Sequence, residues 1–536
     1  MNAFHLTMSN PAKRQKQCWL GVYLASVVVF LLLVVNFYLP GYGFTALEEF
    51  GDFFDTKSIA GLHCFVEPKS HGYDGQFYAR LALDPVLAHP AADEQGVDDL
   101  YYRGRRILMS WAAWALGLGQ PVWILQAFAV INVACWLGLA WLLARWFPPL
   151  DFDNFVRWAG ILFSFGIMQS VRSSLTDGPA LFFVALGLLF YERKQETWAA
   201  GMLAIAGLTR ETSLLAFTAL ADPAKRTRRE IGRVALLGVL AVAPLFCWMV
   251  YLKLHLGHPA GGGAGVNNFS PPFAAWLRKW GSIFSELGQG RWAWEMLLVQ
   301  LALTVQAVYL LARPAISKPA WRMGVVFAVM MFCLGDAVWE GFPGATGRTV
   351  LPMLLAFNLL VPRGRWWLPL LVAGNLSVAV QPMANSGVPG DVTIVNVAQP
   401  SINADGRELA FRFGREWFRS ERAFLGTRYR WSPGATSVTI INPHAFAVEA
   451  NLAMELCSKR GESRALSLVL NGREIWSGAL NTDPITARAT SLRLEPGDNT
   501  LEFKTAEAAP PPNGKGIPRA FRLRSLTVDV LSAADH

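Results

Sequence analysis

Long apolar segments separated by short polar ones dominate the chain up to about residue 380. The first covers residues 18–39 without a charged side chain, and as a helix, at about 1.5 Å per residue, it crosses the roughly 30 Å hydrocarbon layer of a bilayer. Because no small-residue cleavage site follows it, we interpret it as a retained membrane anchor. Further apolar runs cover residues 122–143, 155–171, 175–191, 198–221, 234–252, 296–311, 323–338, 349–361 and 366–380.

Basic clusters alternate with these runs and predict their orientation. Lys13, Arg14 and Lys16 precede the first run, which places the N-terminus in the cytoplasm by the positive-inside rule. Residues 210 and 211, an arginine and a glutamate, interrupt the run 198–221; if the chain turns back there, the later basic clusters all become cytoplasmic. A straight span would instead put the cluster at 225–229 outside. The broken form gives about eleven membrane segments, an odd number.

With eleven segments, the outer loops are residues 40–105 and 253–292, and the C-terminal part also lies outside. There the pattern changes to alternating apolar residues, as at Leu466, Leu468 and Leu470, which is typical of half-buried strands. Asn471-Gly472 is a strong hairpin signal. We therefore predict a polytopic α-helical membrane domain, residues 1–390, and an extracytoplasmic all-β sandwich of jelly-roll type, residues 391–536.

Composition agrees with a membrane protein: 53% of residues are hydrophobic and only 16% are charged, beyond the range of ordinary soluble chains. The net charge of +9 lies in short clusters between apolar runs, so topology explains it and we predict no nucleic-acid partner. The six cysteines form no CxxC pair, and His255 and His258 have no carboxylate cluster nearby. We predict no metal site from these residues.

The first outer loop carries the sharpest chemical candidate, Asp74, which is flanked by Gly72 and Gly75 and followed by Phe77 and Tyr78. One interpretation is structural: Asp74 caps a helix that begins at residue 75. The other is catalytic: a carboxylate held at the water side of a bilayer acts as a general base toward a lipid-linked substrate. The two interpretations are compatible.

Charged residues inside or beside the apolar runs form a second set. A charge at membrane depth costs several kcal/mol by most estimates, so it usually faces a polar cavity. Arg210 is either such a residue or a structural partner of Glu211 or Asp177. Arg348 either faces the cavity or extends toward the interface. Arg172 lies at the same outer junction as Asp177.

Four motifs in order resemble the GT-C superfamily of polytopic glycosyltransferases. They are GYDGQFYARLA at 72–82, LTDGPALF at 175–182, LTRET at 208–212 and GRTVLP at 347–352. The likeness covers most of residues 19–381 and is greatest to bacterial mannosyltransferase-like members with a trailing outer β-domain. It implies a multi-pass protein of the bacterial inner membrane that transfers a hexosyl or pentosyl group from a polyprenyl-phosphate donor to a glycan, lipid or protein acceptor.

The resemblance also implies roles for residues. Asp74 is the base of an inverting transfer, and Arg210 and Arg348 contact the donor phosphate. Many family members carry an acidic pair closer to the first span, so Glu48, Glu49 and Asp52 are alternative bases. Further residues expected at the substrate cavity are Gln76, Tyr78, Arg80, Arg172, Asp177 and Glu211.

No cofactor is required, because arginines can stabilise a monophosphate leaving group. The acids of the first loop could nevertheless hold a divalent cation. Two other functions stay open: a transporter or flippase of lipid-linked glycans, and an oligosaccharide ligase that uses a diphosphate-linked donor.

Overall fold

The computed structural model describes most of the chain. The described residues are 11–39, 41–51, 54, 59, 62–67, 70–88, 96–224, 227–256, 268–287, 291–341, 343–385, 395–398, 409–414, 416–418, 421–422, 428–459, 461–508 and 518–533. The chain divides into two compact units, one helical and one built of β-strands. The helical unit comprises Met1–Val66 and His71–Met383, and the other comprises Glu67–Ser70 and Ala384–His536.

The helices of the first unit differ widely in length. The α-helices are α1 Pro11–Val35, α2 Gly75–Leu83, α3 Leu100–Gly104, α4 Leu108–Leu116, α5 Pro121–Leu143, α6 Phe152–Leu162, α7 Phe165–Arg172, α8 Asp177–Glu192, α9 Glu196–Thr209, α10 Arg228–Leu256, α11 Ala274–Glu286, α12 Arg291–Ala312, α13 Pro319–Cys333, α14 Asp336–Trp339, α15 Thr346–Thr349, α16 Leu351–Leu360 and α17 Leu368–Gly374. Stretches of 3₁₀ helix cover Thr45–Leu47, Glu211–Ala219 and Leu376–Ala379. A last helical turn, α18, covers Pro382–Asn385.

Four helices among the described residues are long and apolar enough to cross a membrane. They are Gln15–Val35, Pro121–Leu143, Arg228–Leu256 and Trp292–Ala312. This is fewer than the eleven segments that the pattern predicts, because several apolar runs do not form one continuous long helix. The run 155–171, for example, is divided between α6 and α7, and Ser164 between them is extended at ψ 149°.

The predicted interruption of the run 198–221 is confirmed. Helix α9 ends at Thr209, Arg210 is extended at φ −155° and ψ 116°, and a 3₁₀ helix begins at Glu211. An extended residue cannot continue the α-helical hydrogen-bond ladder. The side chain of Arg210 therefore extends from the break between the two helices, and it takes part in the polar cluster described below.

The core of the helical unit is formed by aromatic and aliphatic side chains from most of its helices. Phe30 of α1 stacks on Trp136 of α5, with ring centroids 3.7 Å apart. The indole N–H of Trp136 donates to the carbonyl of Leu162 at 3.0 Å, which ties α5 to the end of α6. Buried indole groups usually have such a partner, so these contacts fix the helices that carry the polar residues.

The segment that carries Asp74 contains the short helices α2 and α3. Gly72 has φ +63°, a conformation that favours glycine. A Cβ at Gly72 or at Gly75 would overlap a backbone carbonyl oxygen, that of Glu49 or of Ser173 respectively. Helix α3 is capped by Asp99, whose carboxylate accepts from the backbone N–H of Tyr102 at 2.7 Å. The two glycines therefore allow the segment around Asp74 to pack directly against neighbouring backbone.

The second unit contains two β-sheets. Its strands are β3 Val395–Ala398, β4 Ala410–Phe413, β5 Glu421–Arg422, β6 Arg428–Ser432, β7 Thr436–Asn442, β8 Val448–Ser458, β9 Arg464–Leu470, β10 Arg473–Leu480, β11 Ile485–Leu494, β12 Gly497–Lys504 and β13 Phe521–Ala533; the short pair β1 Phe50–Gly51 and β2 Val66–Glu67 precedes them in the chain. One sheet has the order β10-β9-β12-β7-β4, and the other has β11-β8-β13-β6-β5 with β3 also paired to β13.

Inward side chains of both sheets form one hydrophobic core, as in a sandwich. Leu466, Leu468 and Leu470 are buried in it, as the alternating pattern predicts. Asn471 and Gly472 both have positive φ and connect β9 to β10 in an antiparallel hairpin. The all-β character of the C-terminal part is therefore confirmed.

Candidate functional site

A cavity of about 860 Å³ lies within the helical unit, and one of its walls is polar. Asp74, Arg210 and Arg348, from three of the four sequence motifs, line it together. The polar part of the lining also includes Tyr102, Arg103, Arg105, Arg106, Glu211, Thr212, Asn268 and Thr349. Three motifs that are far apart in the chain thus contribute to a single cavity.

Asp74 stands at the N-cap position of α2, as predicted, but its carboxylate makes no capping hydrogen bond. Instead Oδ1 accepts from Nη2 of Arg103 at 3.0 Å, and Oδ2 accepts from Nη2 of Arg348 at 2.9 Å. Burial alone would raise the pKa of Asp74, but the two guanidinium groups outweigh it and hold that pKa below its usual range. The side chain is directed to the cavity rather than to its own helix.

Asp177, from the remaining motif, lies directly behind the lining and is 2% exposed. Its carboxylate pairs with Arg210 and accepts from Nη1 of Arg348 at 3.2 Å. Arg103 in turn pairs with Asp98 at 2.6 Å. The side chains therefore alternate in sign along one continuous series. We call this series, Asp98, Arg103, Asp74, Arg348, Asp177 and Arg210, the charge chain.

Glu211 and Arg106 form a second pair in the same wall. Nε and Nη2 of Arg106 donate to the two oxygens of Glu211, both at 2.8 Å, in a bidentate arrangement. Nη1 of Arg106 donates to the hydroxyl of Tyr78 at 2.7 Å. Tyr78 is buried beneath the arginines and holds them in position, while Glu211 reaches the cavity because the helix breaks at Arg210.

Sequence reasoning did not single out Arg103, Arg105 or Arg106 as site residues. All three guanidinium groups lie over the ring of Tyr102, with their carbons 5.4, 5.1 and 5.0 Å from its centroid. The available signal was the cluster Tyr101-Tyr102-Arg103-Gly104-Arg105-Arg106, in which two tyrosines are followed by three arginines within six positions. Such grouping favours cation–π contacts and anion binding.

Like Tyr78 and Asp177, three further residues expected at the cavity do not line it. Gln76 accepts from the backbone N–H of Gly51 at 3.2 Å and donates to the carbonyl of His71 at 2.7 Å, so it holds the loop. Arg80 is buried, with its guanidinium 5.5 Å above the ring of Phe50. Arg172 pairs with Glu49 at 2.9 Å and lies over Phe37. These residues support the loop that carries Asp74.

The alternative bases have different environments. Glu49 is engaged by Arg172, as just described. Glu48 is completely buried, and neither of its carboxylate oxygens has a hydrogen-bond partner within the described chain. Burial raises the pKa of Glu48 well above its ordinary value. Asp52 lies outside the described residues. Neither Glu48 nor Glu49 lines the cavity.

The rest of the cavity lining is apolar. It is formed by Leu215 of the 3₁₀ helix, by residues of α13 and α14 and the segments that follow them, and by Phe269. Phe269 and Val329 are 58% and 52% exposed, so this wall continues to the molecular surface. In the part of the chain that the structure covers, no cluster of three or more His, Cys, Asp or Glu side chains could hold a metal ion. The cavity therefore combines basic and apolar residues in its lining.

No protein-family model matches the chain, and no curated protein matches it. Among solved structures, the arabinosyltransferase EmbB from Mycobacterium smegmatis is 12% identical, over 80% of this chain and 58% of that one, with a TM-score of 0.28. The Podospora anserina GH26-CBM35 β-(1,4)-mannanase is 12% identical over 24% of this chain and 28% of its own, with a TM-score of 0.17.

The carbohydrate-binding module CBM36, in complex with calcium and xylotriose, is 11% identical over 23% of this chain and all of its own, with a TM-score of 0.16. The chain spans less than two thirds of the arabinosyltransferase and of the mannanase. These scores are too low to support an argument about function, which depends on the cavity itself.

Proposed function

We propose that this protein is a bacterial inner-membrane glycosyltransferase. It moves a sugar from a polyprenyl-phosphate donor to a glycan, lipid or protein acceptor on the outer face of the membrane. The observation that carries the proposal is the shared cavity of Asp74, Arg210 and Arg348, which come from distant segments, together with the apolar residues in the rest of its lining. A lipid-linked phosphate needs both a basic and an apolar surface.

The proposed topology follows from the same assignment. Residues 1–390 form the membrane domain, and residues 391–536 form the outer domain. The N-terminus is cytoplasmic. Apolar helices too short to span alone would surround the cavity, as broken helices do around substrate sites in other membrane proteins.

Asp74 is the general base in this scheme. An acceptor hydroxyl is a weak nucleophile until its proton is removed as the new bond forms. A positioned carboxylate supplies about 10² to 10⁴-fold of rate, and Asp74 reaches the lower part of this range because its two arginine partners lower its pKa. The acceptor oxygen attacks the anomeric carbon, the bond from that carbon to the phosphate oxygen breaks, and its electron pair remains on the phosphate. The proton passes to Asp74. A single direct displacement inverts the anomeric centre.

The ion pairs of Asp74 couple these events. In the resting state its negative charge is balanced by Arg103 and Arg348. Once the carboxyl is protonated, those two guanidinium groups no longer have an anionic partner there. The departing phosphate gains a second negative charge at the same moment, and Arg348 can stabilise it. Arg210, held by Asp177, Thr212 and Thr349, supports this wall.

Transfer is tested with purified protein in nanodiscs, a polyprenyl-phosphate sugar and a mixture of envelope acceptors. The proposal expects release of free polyprenyl phosphate together with a glycosylated acceptor, and loss of both in Asp74→Asn. Asp84→Asn, at the other end of α2 and outside the cavity lining, is the matched control.

Two outcomes would contradict the proposal. Movement of the intact donor between leaflets without cleavage would identify a flippase. Transfer only from a diphosphate-linked oligosaccharide would identify a ligase. If Asp74→Asn folds normally and transfers sugar at the wild-type rate, the general base is another acid.

A further inference from the structure

The arginines that line the cavity are not equivalent. Arg103, Arg106, Arg210 and Arg348 each form an ion pair with a carboxylate. Arg105 lines the same cavity, yet within the described residues it pairs with no carboxylate and its side chain makes no hydrogen bond. Any anion that binds at the other four must compete with a resident carboxylate, whereas an anion at Arg105 displaces none.

Aromatic contacts hold Arg105 in place. Its guanidinium carbon lies 5.5 Å from the ring centroid of Tyr101 and 5.1 Å from that of Tyr102. Its Nε is shielded from solvent without a hydrogen-bond acceptor. A guanidinium fixed by its flat faces keeps its N–H groups available at the edge, so it binds an anion at a lower entropic cost than a mobile side chain would.

Tyr102 offers a second donor beside Arg105. Its hydroxyl oxygen accepts from Nη2 of Arg106 at 3.2 Å and from the amide nitrogen of Asn268 at 3.3 Å. Because both of these groups donate, the hydroxyl proton of Tyr102 is not used by any described residue. Tyr102 lines the cavity, so this proton can be donated to a ligand there.

The charges around the cavity leave one positive charge unmatched. Among the described residues, the four paired arginines are balanced by four carboxylates: those of Asp74 and Glu211 in the lining, that of the buried Asp177, and that of Asp98, which is exposed and outside the lining. Arg105 is the remaining cation among the described residues of this cluster. A cavity of this kind favours a ligand with one negative charge, since uncompensated charge at low dielectric is costly.

We propose that Arg105 and Tyr102 form the anchoring site for the donor's phosphate, and that the single unmatched charge selects a phosphodiester over a diphosphate diester. This inference rests on the proposed function and names its substrate class. A sugar linked through one phosphate to a lipid carries one negative charge, while a sugar linked through a diphosphate carries two. Arg105 binds the phosphate in the ground state, and Arg348 meets the charge that develops during transfer.

Binding without turnover tests the inference. The probes are methyl farnesyl phosphate, with one negative charge, the corresponding methyl farnesyl diphosphate, with two, and farnesol, with none. Titrations use the full chain in nanodiscs. We expect wild-type protein to bind the monophosphate more tightly than the diphosphate, and Arg105→Gln to weaken monophosphate binding about tenfold or more while farnesol binding is unchanged.

Control variants separate this effect from misfolding. Arg145 lies over Trp141 at 4.7 Å, a contact like those of Arg105 but outside the cavity lining, so Arg145→Gln should leave all three affinities unchanged. Arg105→Lys should recover part of the affinity for the monophosphate, and Tyr102→Phe should weaken it while keeping the aromatic ring. Unchanged monophosphate binding in Arg105→Gln, or tighter binding of the diphosphate by wild type, would overturn the inference.

The two proposals can fail separately. If Arg105→Gln binds and transfers like wild type, the anchoring site is wrong and the glycosyltransferase assignment stands. If wild type binds the monophosphate through Arg105 but releases no polyprenyl phosphate from any donor, the anchoring site stands and the assignment fails.

Discussion

Oδ2 of Asp74 lies 2.9 Å from Nη2 of Arg348, a residue 274 positions later in the chain. The pair joins the segment that precedes α2 to a short helix near the end of the helical unit. Arg348 also donates to Asp177 at 3.2 Å. One guanidinium group therefore holds two acids from two different motifs, and several consequences of this arrangement can be measured.

The first prediction concerns the pH dependence of stability. Burial raises the pKa of Asp74, but Arg103 and Arg348 hold it below its usual range. The charge of Asp74 therefore stabilises the folded chain above the unfolded pKa, about 4, and this contribution is lost as pH falls through the folded pKa. The difference in Tm between wild type and Asp74→Asn should be constant at neutral pH and should narrow below about pH 4. Thermal unfolding followed by tryptophan fluorescence measures it, and a difference that already narrows between pH 7 and 6 would contradict it.

The second prediction concerns Arg348→Lys. A lysine ammonium cannot span Asp74 and Asp177 as the planar guanidinium does, so we expect the rate of sugar transfer to fall by about 10²-fold. Arg278→Lys is a suitable control, because Arg278 also makes a bidentate pair with an aspartate, Asp336, but its side chain is 57% exposed. Exposed pairs contribute little to stability. Equal effects of the two substitutions on initial rates would argue against a role for Arg348 in the cavity.

The third prediction concerns Glu48, which burial leaves with a pKa well above its ordinary value. Its protonated form is favoured in the folded state, so folded stability is highest below the unfolded pKa, about 4, and decreases as pH rises toward the folded pKa. Glu48→Gln removes this decrease. The variant should gain Tm relative to wild type as pH rises above about 4, and it should retain sugar transfer. Loss of transfer in a stable Glu48→Gln protein would restore Glu48 as a candidate base.

The fourth prediction concerns the close packing beside Asp74. A Cβ at position 75 would overlap the carbonyl oxygen of Ser173, so Gly75→Ala must shift α2 or the backbone against it. Overpacking of this kind costs about 1–3 kcal/mol. Gly201→Ala, in α9 with open space at its Cα, is the matched control and should be neutral or slightly stabilising. The free energy of unfolding and the transfer rate should both decrease in Gly75→Ala alone.

The four motifs predicted most of the site. Each contains a charged residue, and a charge within or beside an apolar segment needs an oppositely charged partner. Asp177, Arg210 and Arg348 were identified in this way, and the structure brings all three to the charge chain. Asp74 was recognised from its glycines and aromatic neighbours. Gln76 and Arg80 lie four residues apart on one face of α2, and their side chains contact Gly51 and Phe50 instead of the cavity. Their spacing in the sequence could not show this.

Other features depend on tertiary contacts that leave little trace in the sequence pattern. Helix α3 is only five residues long, so no apolar periodicity predicts that Arg103 will reach Asp74. The number of long helices was also overestimated, because an apolar run does not reveal where polar contacts interrupt its hydrogen-bond ladder. Local turn chemistry, by contrast, was sufficient for the hairpin at Asn471 and Gly472, whose positive φ angles match the residue types.

The wide separation of the charge chain in sequence has a consequence for biogenesis. Asp74 and Asp177 are synthesised long before Arg348, which pairs with both. Until Arg348 is made, Asp74 has only Arg103 and Asp177 has only Arg210, so each acid has one arginine partner instead of two. The two halves of the charge chain are therefore joined only late in synthesis, when Arg348 is added.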